Sequence, residues 1–303
     1  MMRVPHVSVV ICTRNRGQKL GATLRSLSRQ DFRGAWELVV VNNGSTDDTQ
    51  RVIDDFAKDC PFPLRVAHEP VAGLSRARNK GLAFAHGEIV AYTDDDCYPR
   101  EDFLSAIAAR FSEGDVAFVG GRVLLFDPDD QRVTIQERDT PVAIEAQTFV
   151  PSGLIHGANL AVRREALLEL NGFDERLGAG SRFKSGEDTD MLRRLVLAGK
   201  RGAYDPSVVV FHHHGRKTVE AAQALEQGYC RGFGSCMLKY AVRPDTRALY
   251  LRMWYWRLRK TELRDAVREL RAAAQFYLRY GPTWRRIWNH PHDGLQGVRG
   301  RDV

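Results

Sequence analysis

The sequence predicts an α/β protein built on a doubly wound, mostly parallel sheet, and three observations carry that expectation. Short β-rich runs alternate with helix-period segments through the first hundred residues. Polar clusters fall where those runs end, at the edge where such sheets bind ligands. No uninterrupted apolar stretch approaches the roughly 20 residues of a membrane-spanning helix.

Residues 7–12, Val-Ser-Val-Val-Ile-Cys, read as the first strand, and residues 20–27 carry apolar side chains at helical spacing. Residues 37–41 are a second buried strand. The helix over 47–56 opens with Ser45-Thr-Asp-Asp48, whose oxygens suit an N-cap. Residues 64–67 form a third strand, Gly73-Leu-Ser-Arg-Ala-Arg-Asn79 leads into a helix, and 88–92 form a fourth strand. Strand and loop then alternate from 118 to 150. Helices are predicted over 164–170 and from Ser185 to Leu197, the second with Gly199 as its stop, and a strand over 204–211 ends in three histidines. Apolar and basic residues at helical spacing continue to about residue 280, and the last residues read as a frayed terminus. The resulting plan is a body over 1–215, in two parts, 1–117 and 118–215, followed by a basic, aromatic-rich helical region over 216–303.

Composition narrows the classes. The chain has 303 residues, 43% hydrophobic and 27% charged, enough for a substantial core and against disorder. Five cysteines form no C-x-x-C pair, which points to a reducing cytoplasm and away from a disulfide framework or a cysteine zinc site. The absence of an apolar leader segment near Met1 points to no export, so membrane contact would be peripheral, on the inner face. The net charge of +7 is uneven: from His214 onward there are 18 Lys and Arg against 8 Asp and Glu, and upstream 27 against 30. Four of the five tryptophans, Trp254, Trp256, Trp284 and Trp288, share that basic tail. Two readings stand for it: docking on an anionic membrane or acceptor, or packing of its aromatics on the body. No motif for specific nucleic-acid binding is recognisable, although bare positive charge gives salt-sensitive, nonspecific affinity.

Three clusters carry the chemistry: Thr13-Arg-Asn15, Asn42-Asn-Gly-Ser-Thr-Asp47 and Asp94-Asp-Asp96, each after a predicted strand. Neither G-x-G-x-x-G nor G-x-x-x-x-G-K-[ST] stands at a strand-to-helix turn, so a bound nucleotide needs another grip on its diphosphate. Carboxylates holding Mg²⁺ or Mn²⁺ supply one. Three adjacent aspartates repel one another unless solvent or a cation absorbs the charge. If the strand persists, Asp94 and Asp96 point the same way. His212 and His214, at the end of the last strand, share a face; imidazole suits Mn²⁺ or Zn²⁺, and a structural role serves them equally well. Cys230 would complete a zinc site with them only if a fourth ligand existed.

In order and approximate spacing, Val9-Val-Ile-Cys-Thr-Arg-Asn15, Glu37-Leu-Val-Val-Val-Asn-Asn-Gly-Ser-Thr-Asp47, Gly73-Leu-Ser-Arg-Ala-Arg-Asn-Lys-Gly81, the triplet Asp94-Asp95-Asp96 and Gly186-Glu-Asp188 together resemble family 2 glycosyltransferases of the GT-A fold, over roughly residues 7–214. The resemblance implies transfer of a sugar, with inversion, from a UDP- or dTDP-sugar to a hydroxyl of a saccharide or lipid-linked acceptor, as in making a surface polysaccharide of the cell envelope. It implies a D-x-D metal site for Mn²⁺ or Mg²⁺ at Asp94-Asp95-Asp96, with His212 as a further ligand. It also implies Thr13 and Asn15 beside the nucleoside, Arg78 near the base or diphosphate, Asp188 as general base and Glu187 orienting acceptor or base. The family's base-contacting Asp falls at position 42, which is Asn here, so the choice of pyrimidine is blurred. Outside that resemblance, Arg78 reads equally as a solvated cation at a helix start. A nucleotidyltransferase would use a similar metal site, but Thr13-Arg-Asn-Arg-Gly17 is a thin substitute for its Gly- and Arg-rich loop.

Overall fold

A computed structural model gives the structure, which describes residues 6–281. Nine strands form one sheet in the order β3-β2-β1-β4-β8-β6-β9-β5, with β7 also paired to β9. The first four strands, β1 (Val7–Thr13), β2 (Trp36–Asn42), β3 (Leu64–His68) and β4 (Ile89–Asp94), are parallel, as the alternating periodicities predict. The helices that connect them are α1 (Gly17–Leu27), α2 (Thr49–Lys58) and α3 (Leu74–Phe84). The helix expected from residue 47 begins two residues later. Asp47 does not cap it but accepts from the Thr49 N–H at 3.0 Å and from the Gly17 N–H at 3.3 Å, stitching two loops together.

Beyond β4 the sheet is mixed. A turn at Asp95 and Asp96 leads into the three-residue strand β5 (Cys97–Pro99), and α4 (Phe103–Glu113) and β6 (Phe118–Leu125) follow. Next come β7 (Val142–Ile144), β8 (Leu160–Arg163), α5 (Arg164–Glu169), α6 (Glu187–Leu197) and β9 (Gly202–His212). The inserted β8 runs antiparallel to both β4 and β6, while β6 and β9 are parallel. Two apolar layers sandwich the sheet. One is built on Val9, Ile11, Leu20, Leu24, Phe103 and Ile107, the other on Val10, Val39, Leu82, Tyr92, Leu192 and Leu195. Alternate residues of β1 thus serve opposite faces, the period of an extended strand.

The tail folds as α7 (Val219–Ala241), α8 (Arg247–Leu258) and α9 (Leu263–Tyr280), a C-terminal helical region with its own apolar cluster around Met237, Tyr240, Tyr250 and Trp254. Of the two readings of the tail, packing accounts for Trp254, whose Nε1 reaches Glu269 at 3.3 Å, whereas Trp256 is exposed. Trp284 and Trp288 lie outside the described residues. Among the described residues no helix is long and apolar enough to cross a membrane.

Candidate active site

The carboxyl ends of β1 and β4, the turn after β4, the start of α6 and the middle of α7 border a cleft of about 620 Å³, the size class of a small-ligand site. Thr13, Arg78, Asp94, Asp95, Asp96, Glu187, Asp188 and His212 all line it. Asn15 and Asn42 do not. Asn15 adopts a left-handed φ of 54° and accepts from the Thr46 N–H at 2.8 Å, tying the first polar loop to the second. Asn42 donates to Gln50 at 2.7 Å and accepts from the Ser45 N–H at 3.0 Å. Asn43 lines the cleft instead.

The triplet does not continue as a strand, so Asp94 and Asp96 do not project as one period-two pair. Asp94 ends β4 and faces Arg78 at 3.4 Å, while Asp95 and Asp96 occupy the turn and share Arg16, at 3.8 and 3.6 Å. Pairing of β5 with β9 sets Cys97 opposite His212, and this brings His212 Nε2 to 3.3 Å from Asp96 Oδ1. Burial opposes the charge on Asp96, yet the His212 hydrogen bond and the nearby Arg16 hold its carboxyl below the usual range. The same contact raises His212, against its burial. Asp95 goes the other way: burial and the Asp96 charge push it up to about 7, offset only in part by Thr13 and Arg16. Two buried carboxylates in one turn, one of them poorly neutralised, are a setting that a divalent cation would relieve.

Donor atoms of Asp96, Cys97 and His212 lie within 4.8 Å of one another, the one such group among the described residues. Burial and the neighbouring aspartates raise the Cys97 thiol, so the oxygen and imidazole donors suit Mn²⁺ or Mg²⁺ better than a thiolate-bound zinc. His214 is committed elsewhere: its Nε2 donates to the Gln131 carbonyl at 3.0 Å and its Nδ1 accepts from the Arg216 N–H at 3.0 Å. The two imidazoles do share a face, edge to face with ring centres 5.1 Å apart, but both nitrogens of His214 are taken, and among the described residues a His212–His214–Cys230 zinc site does not form.

Arg78 is 3% exposed, which removes the reading of a solvated cation. Its guanidinium lies 3.0 Å from Glu187 and 3.4 Å from Asp94, over the mutually packed rings of Tyr92 and Phe173 at 5.9 and 5.4 Å. One buried cation thus bridges the β4 end to the α6 start. Gly186, at a left-handed φ of 92°, turns the chain into α6, and the next two residues diverge around the helix. Glu187 turns to Arg78; burial and the Asp188 charge raise its carboxyl even so. Asp188 is partly exposed to the cleft. Its Oδ2 accepts from the Gly157 N–H at 2.9 Å and its Oδ1 from the Thr189 N–H at 2.6 Å. Residues that sequence reasoning missed complete the walls: Arg16, Asn43, His156 and, from the tail, Tyr229, Phe233 and Arg257. Burial lowers the His156 imidazole, so it faces the cleft neutral.

A cleft at strand ends with an acidic, histidine-bearing floor and a fixed carboxylate opposite is suited to hold a diphosphate and to take a proton from a hydroxyl. The sequence profile described as Glycosyl transferase family 2 matches residues 8–170. The pre-mycofactocin glycosyltransferase of Mycobacterium tuberculosis is 31% identical over 220 residues, 69% of this chain and 43% of its own length, so the match spans less than half of that relative. The glucosyl-dolichyl phosphate glucuronosyltransferase of Haloferax volcanii is 25% identical over 81% of this chain and 82% of its own. Among solved structures, the mannosyltransferase PcManGT of Pyrobaculum calidifontis, in complex with GDP-Man and Mn²⁺, superposes with a TM-score of 0.63 at 22% identity over 93% of this chain and 76% of its own. TarS of S. aureus in complex with UDP-GlcNAc gives 0.64 at 20% identity over 89% and 80%.

Proposed function

Since the chain belongs to glycosyl transferase family 2 and is a nucleotide-sugar glycosyltransferase, we propose that it moves a hexose from a UDP- or dTDP-sugar, with inversion and divalent-metal dependence, to a hydroxyl of a saccharide or lipid-linked acceptor. The observation that supports this most is the position of Asp188. Two backbone N–H groups fix its carboxylate in the cleft that Asp94, Asp95 and Asp96 also line. An inverting displacement needs one base, placed where an acceptor oxygen attacks on the side opposite the leaving group. Asp188 is that base. Glu187, paired with Arg78, holds the guanidinium between the two carboxylate centres and so positions the site rather than taking the proton.

Asp96 and His212, with Asp94, would hold Mn²⁺ or Mg²⁺, and when bound the ion supplies Lewis-acid stabilisation of the departing diphosphate. Thr13 lies at the nucleoside end. Asn15 and Asn42 support that end from behind, by accepting from the Thr46 and Ser45 N–H groups of the second loop. Residues 1–117 are the donor half and 118–215 the acceptor half; from 216–303, α7 adds Tyr229 and Phe233 to the acceptor wall. The exposed Leu251, Tyr255 and Trp256, beside Arg252 and Arg259 on a helix without an acidic residue, suit peripheral contact with the inner face of a membrane. Family membership supports sugar transfer over the nucleotidyltransferase and nucleic-acid readings.

The test is a donor screen of UDP-, dTDP- and GDP-sugars with and without Mn²⁺, reading thermal stabilisation and release of nucleoside diphosphate. Asp188→Asn keeps donor binding and loses about 10²–10⁴-fold in turnover, the worth of a positioned general base; near wild-type transfer would remove Asp188 from that role. Asp96→Ala loses the Mn²⁺-dependent part of donor binding. Donor affinity that responds to Mn²⁺ as in the wild type would place the metal elsewhere.

A further inference from the structure

A second cleft, of about 580 Å³, lies between α7, α9 and the segment leading into α6. Four of its lining residues are arginines, Arg182, Arg231, Arg268 and Arg271, over a floor that includes Phe183 and Ala272, and among the described residues no acidic one lines it. Arg268 is paired with Asp265 at 2.6 Å. Arg182, Arg231 and Arg271 have no ion pair or side-chain hydrogen bond among the described residues. Phe183 and Ala272 are buried, 1% and 4% exposed, so one wall is apolar and strengthens the field of the cations above it.

Four arginines from three separate segments line this one cleft, where like charges repel, and three of them draw no compensating pair from the described residues. No described residue pairs with Arg182, Arg231 or Arg271, so their sites are open to an anion from outside. We propose that this cleft binds a phosphate or diphosphate group distinct from that of the sugar donor, because planar forked donors match tetrahedral phosphate oxygens and several can share one polyanion. The source is either a soluble phosphorylated compound or a lipid phosphate headgroup. The segment between α5 and α6 gives Gly180, Lys184 and Ser185 to the large cleft and Arg182 and Phe183 to this one, so the anion would seat directly behind the acceptor side. The inference concerns binding alone and stands apart from the donor and base assignments.

Binding is measured in metal-free buffer at low salt, by calorimetric titration with inorganic pyrophosphate and by sedimentation with phosphatidylcholine vesicles lacking or containing phosphatidic acid. The double variant Arg182→Ala/Arg271→Ala changes two exposed side chains away from the large cleft, and its Mn²⁺-dependent donor binding reports that it is folded. The wild type is expected to bind in at least one arm, and the responding arm names the source. The double variant should bind there at least about tenfold more weakly, with Asp96→Ala unchanged. Binding in neither arm, equal binding by the double variant, or loss of binding in Asp96→Ala would each overturn the proposal.

Discussion

Arg78 decides how the site is wired. A buried guanidinium with one carboxylate on each side fixes the spacing between the end of β4 and the start of α6, and the adjacent Glu187 and Asp188 then face different partners. The electrostatics of Glu187 are testable. Burial and the Asp188 charge raise its carboxyl despite Arg78, so the folded state binds more protons than the unfolded chain. Stability therefore falls as pH rises from the ordinary carboxylate value through the raised one, and the cost is absent below that window. Glu187→Gln removes this proton uptake, so its unfolding free energy should vary less with pH across the same window, as measured by urea titration at a series of pH values. Parallel profiles for variant and wild type would show that Glu187 is not strained by burial.

At the scale of elements, the site depends on how closely α7 seats against the chain entering α6. A Cβ added to Gly232 would lie 2.1 Å from Ser185 Oγ and 2.4 Å from the Ser185 carbonyl oxygen, and a backbone carbonyl cannot swing aside. Gly232→Ala should destabilise by about 1–3 kcal/mol through overpacking. Turnover should fall as well, because the displaced residues lead directly into Asp188; unchanged denaturation midpoint and turnover would mean that α7 sits less tightly. The sequence foretells the four parallel strands and the helices between them because each is long enough to show its period, and the polar clusters follow from where those strands stop. It is silent on β5, whose three residues are extended only by pairing with β9, and on α4, which has only three residues between it and Pro99. The direction of β8 is equally hidden, since a short apolar run looks alike in either sense. Within the site, Asp94, Asp96, Asp188 and His212 stand in legible clusters. Arg16, His156 and Tyr229 are single residues from separate segments, and only the folded sheet and α7 bring them to one cleft.

For the whole molecule, the question is what binds the C-terminal helices to the sheet domain, because α7 forms part of the cleft wall. The join is a buried polar network as well as an apolar one. Lys239 of α7 is 3% exposed and reaches Asp174 at 2.6 Å and Asp190 of α6 at 2.5 Å. Arg176 grips both oxygens of Asp174, at 2.6 and 2.7 Å, Arg194 holds the other oxygen of Asp190 at 2.9 Å, and the Tyr240 hydroxyl donates to Asp190 at 2.8 Å. Burial opposes both charges, yet Lys239 and the two arginines hold Asp174 and Asp190 below the usual carboxylate range. Groups depressed on folding contribute stability that is present above their ordinary values and lost as pH falls. Lys239→Ala strands two buried carboxylates against weakened compensation, a loss of about 3–5 kcal/mol at neutral pH. The deficit relative to wild type should shrink as pH falls through the carboxylate range, because protonation removes the charges that Lys239 neutralises. Urea unfolding of both proteins at neutral and acidic pH measures it. A deficit that stays constant with pH would mean that Lys239 holds α7 by packing its stem and not by its charge.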